Sequence, residues 1–309
     1  MDGPEDLIVL TGPTCSGKTG LALLLAQRFP IEVVSADSMQ VYRRMDIATA
    51  KPTPEQLSLL PHHLIDVVDP DEEFQAAMFV QQASEAIRQV RARGRIPLVV
   101  GGTGLYIRAL LYGLAPAPAR SEAIRAALRT LLHHKGISYL EAMLSRLDPA
   151  SASAIAKNDA VRVVRALEII FQSGRRASDF FASHGFERPL YRARIACIMP
   201  ERERLFADID RRTLDMVDAG LLDETRLLLG LGYGPHLRSM QTLAYRHVIC
   251  HLQGDLGLDD CIRLIQRDTR RFAKRQVTWM KAREDHVFFD SATAAFDAVC
   301  GWLRGQPGE

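Results

Sequence analysis

Apolar positions along this chain follow two rhythms. Short apolar runs at Leu7-Ile8-Val9-Leu10, Ile31-Glu32-Val33-Val34-Ser35-Ala36, Ile96-Pro97-Leu98-Val99-Val100 and Ala193-Arg194-Ile195-Ala196-Cys197-Ile198-Met199 have the length of buried strands. Apolar residues three and four apart mark helices at Leu21 to Ala26 and at Phe79 to Arg93. Up to Val100 the order is βαβαβ, which predicts a doubly wound α/β domain with a parallel sheet. Further strands are expected at Leu64-Ile65-Asp66-Val67 and at His286 to Asp290. Between Ser121 and about Phe186 the rhythm is helical only, at Ile124 to Leu132, Tyr139 to Leu147, Ala150 to Ala156 and Ala160 to Gln172. This predicts an all-helical insertion over 119–189 within an α/β core formed by 1–118 and 190–309, with the break at the alternating Ala-Pro stretch 115–119. Helices at Glu201 to Ala219, Leu221 to Leu229 and Asp259 to Arg283 complete the core.

Composition narrows the class without choosing a function. The 309 residues carry 39 Lys and Arg against 37 Asp and Glu, a net charge of +2, too mild to argue for nucleic acid by itself. No apolar run has the length of a membrane span, and the acidic start Met1-Asp2-Gly3-Pro4-Glu5-Asp6 is unlike a signal peptide. Five cysteines in no framework spacing read as reduced thiols. The expectation is a soluble cytoplasmic protein, monomeric, with no obligate protein partner.

The strongest local signal is Gly12-Pro13-Thr14-Cys15-Ser16-Gly17-Lys18-Thr19, the spacing G-x-x-x-x-G-K-[ST] of a nucleotide-type P-loop, set between a strand and a helix as that motif requires. Glycines at both ends let backbone N–H groups converge on an anion at a helix N-terminus, Lys18 adds a point charge, and the Thr19 hydroxyl is a ligand for Mg²⁺. The second strand ends at Asp37-Ser38-Met39-Gln40, so Asp37 is either a carboxylate in the same crevice or a helix N-cap. The strand ending in Gly101-Gly102-Thr103-Gly104 lacks the terminal Asp or Glu that many P-loop NTPases use, which favours a small-substrate kinase or another group transferase over an NTPase. The loop Arg43 to Pro52 is polar and aperiodic, as working loops are. Arg162 and Arg165 share a helix face, and the last long helix carries eight Lys and Arg between Arg263 and Arg283, a surface for a nucleic-acid backbone or simply a solvated face. His247 and His251 lie four apart beside Cys250, but no acidic partner or C-x-x-C pair supports zinc there.

Read together and in order, the P-loop, Asp37-Ser38-Met39-Gln40-Val41-Tyr42, Met45-Asp46-Ile47-Ala48-Thr49-Ala50-Lys51-Pro52, Pro61-His62-His63-Leu64-Ile65-Asp66, Gly101-Gly102-Thr103-Gly104-Leu105-Tyr106, Asn158-Asp159 with Arg162 and Arg165, and Arg271-Phe272-Ala273-Lys274-Arg275-Gln276-Val277-Thr278-Trp279 closely resemble the tRNA dimethylallyltransferase (tRNA isopentenyltransferase) family over nearly the whole chain. The resemblance implies a nucleotide-kinase-like core and transfer of a dimethylallyl group from dimethylallyl diphosphate to N6 of the adenosine immediately 3′ of the anticodon (tRNA nucleotide 37), in tRNAs reading codons that begin with U. It implies Asp37 as general base, Lys18 and Arg212 on the diphosphate, Thr103 in the same channel, and Mg²⁺ on Thr19. For tRNA it implies contacts from Asp37, Ser38, Met39, Gln40 and Thr103, from Val161, Arg162, Val163, Val164 and Arg165, from Gln241, Thr242, Leu243, Ala244, Tyr245 and Arg246, and from Arg125. Two residues depart from the family pattern: Cys15 stands where alanine is frequent, and Ala244 replaces a glycine common before the Tyr-Arg pair. Prenylation of free AMP or ADP, a P-loop kinase, and a non-catalytic RNA-binding module are the alternatives.

Overall fold

The computed structural model describes residues 5–185 and 189–305. Residues 1–4 of the acidic start and Phe186, the expected end of the helical stretch, lie outside the described residues. Six strands, β1 (Glu5–Thr11), β2 (Ile31–Ser35), β3 (His62–His63), β4 (Ile96–Gly101), β5 (Tyr191–Ile198) and β6 (His286–Phe289), form one sheet in the order β3-β2-β4-β1-β5-β6. Every pairing is parallel. The apolar runs are nearly continuous because both faces of the sheet are covered. Leu10, Val33, Leu98 and Ile198 on one face are fully buried, as are Val9, Val34, Val99 and Cys197 on the other. The first face packs against the helices Lys18–Ala26 and Ala292–Leu303, through Leu21, Leu25, Ala295 and Val299.

One expected strand is displaced. Pairing with β2 involves His62 and His63, not Leu64 to Val67. Leu64 and Asp66 both take left-handed backbone angles, φ 64° and 56°, which an extended strand excludes. The N–H groups of Asp66, Val67 and Val68 instead bind the carbonyls of Gln40 and Val41, so this run braces the loop after β2.

The chain divides into two compact units, 1–111 with 190–309, and 112–189. The second begins at Tyr112, whereas the change in composition places the boundary at 119. Its described residues form helices and their connections only, with helices Glu122–Lys135, Ile137–Leu147, Pro149–Ala154, Ala160–Ser173 and Ala177–His184 around a core that includes Leu128, Leu140, Leu144, Val163, Leu167 and Phe180. Two buried carboxylates organise it. Glu168 accepts from the Ser121 N–H at 2.7 Å, from Arg125 at 2.8 Å and from Arg165 at 3.0 Å. Asp148 is fully buried and accepts from the N–H and hydroxyl groups of both Ser151 and Ser178. Burial alone raises the Asp148 pKa, but these four hydrogen bonds outweigh it and hold the group at about 2.

The sign of the resulting pH dependence is fixed. A folded pKa depressed below the unfolded value of about 3.9 stabilises the unit above that value, and the stabilisation is lost as pH falls toward 2. Thermal denaturation followed between pH 5 and pH 2 therefore shows a loss of about 2–3 kcal/mol that is absent in Asp148→Asn. Parallel curves for the two proteins would contradict it. Among the described residues no helix is long and apolar enough to cross a membrane.

Candidate active site

The phosphate loop joins β1, at the centre of the sheet, to the helix Lys18–Ala26. Gly17 caps that helix in a left-handed conformation (φ 88°), with no side-chain cap and no acidic residue in the first turn. The first-turn N–H groups have no carbonyl to bind within the helix, so the terminus is open to an anion. Lys18 sits at the wrong end of the helix dipole for stability and at the right end for a phosphate. Its ammonium bends back to donate to the carbonyls of Gly12 and Pro13, at 3.0 and 2.7 Å, and to Ser16 Oγ at 3.3 Å. Burial pushes the Lys18 pKa down to about 8; the Arg212 charge adds to that shift and Asp37 opposes it.

Asp37 lies at the end of β2, across the crevice from the loop. Its Oδ1 accepts from the Met39 N–H at 2.8 Å and the Gln40 N–H at 3.4 Å, so it does cap the turn that follows. Oδ2 has no partner among the described residues and is left for chemistry. No helix starts at Asp37, so the helix N-cap reading fails: the carboxylate caps a turn and lines the crevice with the phosphate loop. Beside it Thr103 Oγ accepts from the Ser38 N–H at 3.0 Å, tying the end of β2 to the turn after β4. Gly101 permits that approach: a β-carbon there would stand 2.2 Å from the Ala36 carbonyl oxygen. Gly104, just after β4, serves close packing too: a β-carbon there would stand 2.6 Å from the Trp279 ring.

Two neighbouring cavities meet at these residues. One, about 440 Å³, is lined by the loop from Thr14 to Thr19 with Asp37 and Arg212. The other, about 300 Å³, also reaches Asp37 and Arg212 but is walled by Met39, Ile209, Met216, Leu243, Ile265 and Phe272. Arg212 stands between them on the helix Arg202–Asp218 and donates to Thr14 Oγ at 3.2 Å and Cys15 Sγ at 3.4 Å. Cys15 itself has a left-handed backbone (φ 62°). Thr19 Oγ opens on the larger cavity and is unpartnered among the described residues. No three His, Cys, Asp or Glu side chains among the described residues converge on a metal position. One hydroxyl at the mouth of a phosphate cradle fits a Mg²⁺ held largely by its substrate's phosphates and water, which is how that ion usually binds.

The other expected contacts fall in several places. Gln241 to Ala244 line the smaller cavity with Ser38, Met39 and Thr103. Gln40 lines the larger one and donates to the Ala50 carbonyl at 3.2 Å. Ala244 is buried in the helix Leu243–Leu252, a position that needs no glycine. Tyr245 is fully buried and donates to Glu224, and Arg246 pairs with Asp268. In the helical unit Val161 is 79% exposed and the Arg162 side chain is open, whereas Val163 and Val164 belong to the core. Arg125 and Arg165 turn toward Glu168. His247 faces Asp268 at 2.9 Å and His251 faces the Leu256 carbonyl at 2.9 Å, two separate partners.

On the basic helix Leu258–Lys281, Arg263, Arg267, Arg270 and Arg271 each reach an Asp, while Lys274 and Arg275 make no ion pair among the described residues. That helix also supplies a residue to which motif spacing assigns no role. Gln276 accepts from the Thr14 N–H at 3.0 Å and donates to the Gly102 carbonyl at 3.0 Å, clasping the phosphate loop to the turn after β4. Its only sequence signal is its place in the run from Arg271 to Trp279.

Known proteins resemble this chain over nearly its whole length. The family model described as IPP transferase matches residues 40–283, and one described as isopentenyl transferase matches 5–67. A curated relative from Syntrophotalea carbinolica, named tRNA dimethylallyltransferase 1, is 46% identical over 292 residues, covering 94% of this chain and 92% of the relative. The crystal structure of the full-length tRNA isopentenylpyrophosphate transferase of Bacillus halodurans is 36% identical, with a TM-score of 0.71 and 97% of each chain covered. A eukaryotic dimethylallyltransferase solved acting on tRNA has a TM-score of 0.82 at 26% identity, covering 99% of this chain and 81% of that one. With the family model spanning most of its length and such relatives matching nearly end to end, this chain belongs to the IPP transferase family.

Proposed function

We propose that this protein transfers the dimethylallyl group of dimethylallyl diphosphate to N6 of the adenosine immediately 3′ of the anticodon (nucleotide 37) in tRNAs that read U-starting codons. The observation that carries the reading is that one carboxylate with a vacant oxygen, Asp37 Oδ2, faces both a cationic phosphate cradle and an adjoining cavity with apolar walls. The cradle takes the diphosphate and the second cavity takes the isoprenoid carbon and the purine. The adenine leaves its stack in the anticodon loop to reach it, as base-modifying enzymes require.

In this reading the N6 amine attacks C1 of the donor, forming a C–N bond as the C–O bond to diphosphate breaks. Asp37 Oδ2 takes the proton that the amine loses, and diphosphate departs. The loop N–H groups, Lys18 and Arg212 hold the charge that grows on the leaving oxygen. Thr103 fixes the turn that presents Asp37 and lines the acceptor side. Thr19 would hold a Mg²⁺ ion, which when bound supplies further positive charge to the diphosphate. Ser38 to Gln40 and Gln241 to Ala244 form the walls against which the nucleotide rests, with Arg246 beside them. Val161, Arg162, Lys274 and Arg275 are open to the RNA; Arg125, Val163, Val164, Arg165 and Tyr245 support such surfaces from beneath. From this substrate class we infer a cytoplasmic location.

The test is incubation with dimethylallyl diphosphate, Mg²⁺ and an unmodified anticodon stem-loop, with N6-dimethylallyladenosine read by mass spectrometry. Product on the stem-loop, absent when its target adenine is replaced, supports the reading. AMP or ADP outcompeting the stem-loop as acceptor, or ATP turnover without prenylation, overturns it.

A further inference from the structure

The smaller cavity has two walls from distant parts of the chain: the loop after β2, with Ala48 and Thr49, and the segment Gln241 to Ala244. Neither wall belongs to the sheet. The loop has no regular structure, and its Arg44 and Ala50 hold left-handed backbone angles, φ 63° and 47°. Such a loop needs its backbone donors satisfied from outside. For three successive donors a single side chain does this. Glu224, half-buried on the helix Leu221–Gly230, accepts at Oε2 from the N–H groups of Asp46 (2.8 Å) and Ile47 (2.7 Å), and at Oε1 from that of Ala48 (3.2 Å). Oε1 also accepts from the Tyr245 hydroxyl at 2.6 Å. Tyr245 is wholly buried and directly follows the second wall.

Resting on the function proposed above, we propose that Glu224 is a positioning residue that sets the width of the acceptor cavity. Three successive N–H groups of the loop form an anion nest, and the nest is filled by a carboxylate of the same chain that also carries the opposite wall. The spacing between the walls is therefore fixed by one group, with Tyr245 as its strut. On the far side of the loop Lys51, its side chain almost fully buried, binds Asp46, Asp66 and the Tyr42 carbonyl, so the nest cannot relax outward without breaking these bonds as well. Among the described residues Glu224 makes no hydrogen bond to the phosphate loop or to Asp37. Its loss must act on the acceptor before it acts on the donor.

No isosteric neutral group can replace it fully. Four donors converge on two oxygens, and an amide offers one oxygen plus an NH₂ that would face either two N–H groups or one N–H and a hydroxyl. With its NH₂ at the Oε1 position the amide opposes the Ala48 N–H but donates to the Tyr245 hydroxyl, so Glu224→Gln is a partial substitute that turns one contact unfavourable while keeping size. Glu224→Ala removes all four acceptors, and Tyr245→Phe removes only the strut.

The experiment measures steady-state prenylation of an unmodified anticodon stem-loop by the full chain, varying donor and RNA separately, with the fraction of competent protein counted by donor binding. For Glu224→Ala we expect kcat/KM for the RNA to fall by about tenfold or more, since small misplacements of a reacting group cost that much. The KM for dimethylallyl diphosphate should be unchanged. Glu224→Gln and Tyr245→Phe should fall between that variant and the wild type in the same parameter. A role limited to folding would lower the competent fraction and leave both constants of the remaining protein alone; that outcome, an RNA kcat/KM equal to wild type in Glu224→Ala, or, where Glu224→Ala does not fold, one equal to wild type in Tyr245→Phe, overturns the inference. A wild-type protein that prenylates no RNA overturns the proposed function instead, and the two failures are told apart in the first lane.

Discussion

Asp37→Asn lowers the single-turnover rate of prenyl transfer by about 10²-fold or more while leaving RNA affinity unchanged, because it removes a general base and nothing else that the fold uses. Asparagine keeps an oxygen at the Oδ1 position, so the hydrogen bonds from the Met39 and Gln40 N–H groups survive and the turn after β2 stays in place. What is lost is the second oxygen, which no described group engages. Asp37→Ala is a blunter instrument, since it also frees those two N–H groups in a cavity wall. One side effect must be kept out of the comparison. The Asp37 charge supports the protonated form of Lys18 against burial, so its removal lowers the lysine's pKa further. The rates are therefore compared near pH 7 and again near pH 6; a deficit that vanishes at the lower pH would belong to Lys18, and a full rate for Asp37→Asn at both would remove Asp37 from the chemistry.

The parts of the molecule written in the sequence are those governed by short-range rules. Four of the six strands follow from apolar runs whose neighbours on both faces had to be buried, and the phosphate loop from a spacing with one physical meaning. The error at β3 comes from the limit of such rules. Leu64 to Val67 is apolar at three of its four positions, yet which segment pairs with β2 is decided by Val33, Val34 and the loop at Gln40 and Val41, all more than twenty residues earlier. The helix Ala292–Leu303 escapes for a different reason. Its alanines and Gly301 blur the periodicity, although Ser291, whose hydroxyl accepts from the Ala294 N–H, is a legible cap.

The site divides the same way. Groups that meet the substrate lie in motifs, and motifs are local. Groups that hold those motifs at the right distance are not local: Gln276 reaches the phosphate loop across 262 positions of sequence, and Glu224 reaches the loop after β2 across more than 170. A glutamate in Leu221-Leu222-Asp223-Glu224-Thr225 looks like any helix surface residue, and only the fold places its carboxylate under three backbone N–H groups. The basic helix shows the converse: four arginines that look free for RNA in the sequence are tied to aspartates.

Lys18→Met is expected to lower kcat/KM for dimethylallyl diphosphate by about 10²- to 10³-fold, the scale of removing one positioned donor from a developing oxyanion. Methionine keeps the length of the side chain and its apolar stem but abolishes the charge. The ammonium is held by the Gly12 and Pro13 carbonyls at the mouth of the loop, so it is already desolvated and oriented. That burial has a measurable consequence. With a pKa of about 8 the lysine is charged at neutral pH and begins to lose its proton just above it. A bound diphosphate favours the charged form, so donor binding takes up a proton there and donor affinity weakens by about tenfold per pH unit above 8 until the pKa of the complex is passed. The donor's own titration is common to both proteins, so the ratio of wild-type to Lys18→Met affinity isolates the lysine: large and flat below pH 8, shrinking above it. An equal affinity for the two proteins at pH 7, or a ratio that does not change between pH 7 and pH 10, would mean that the phosphate cradle works through its backbone alone.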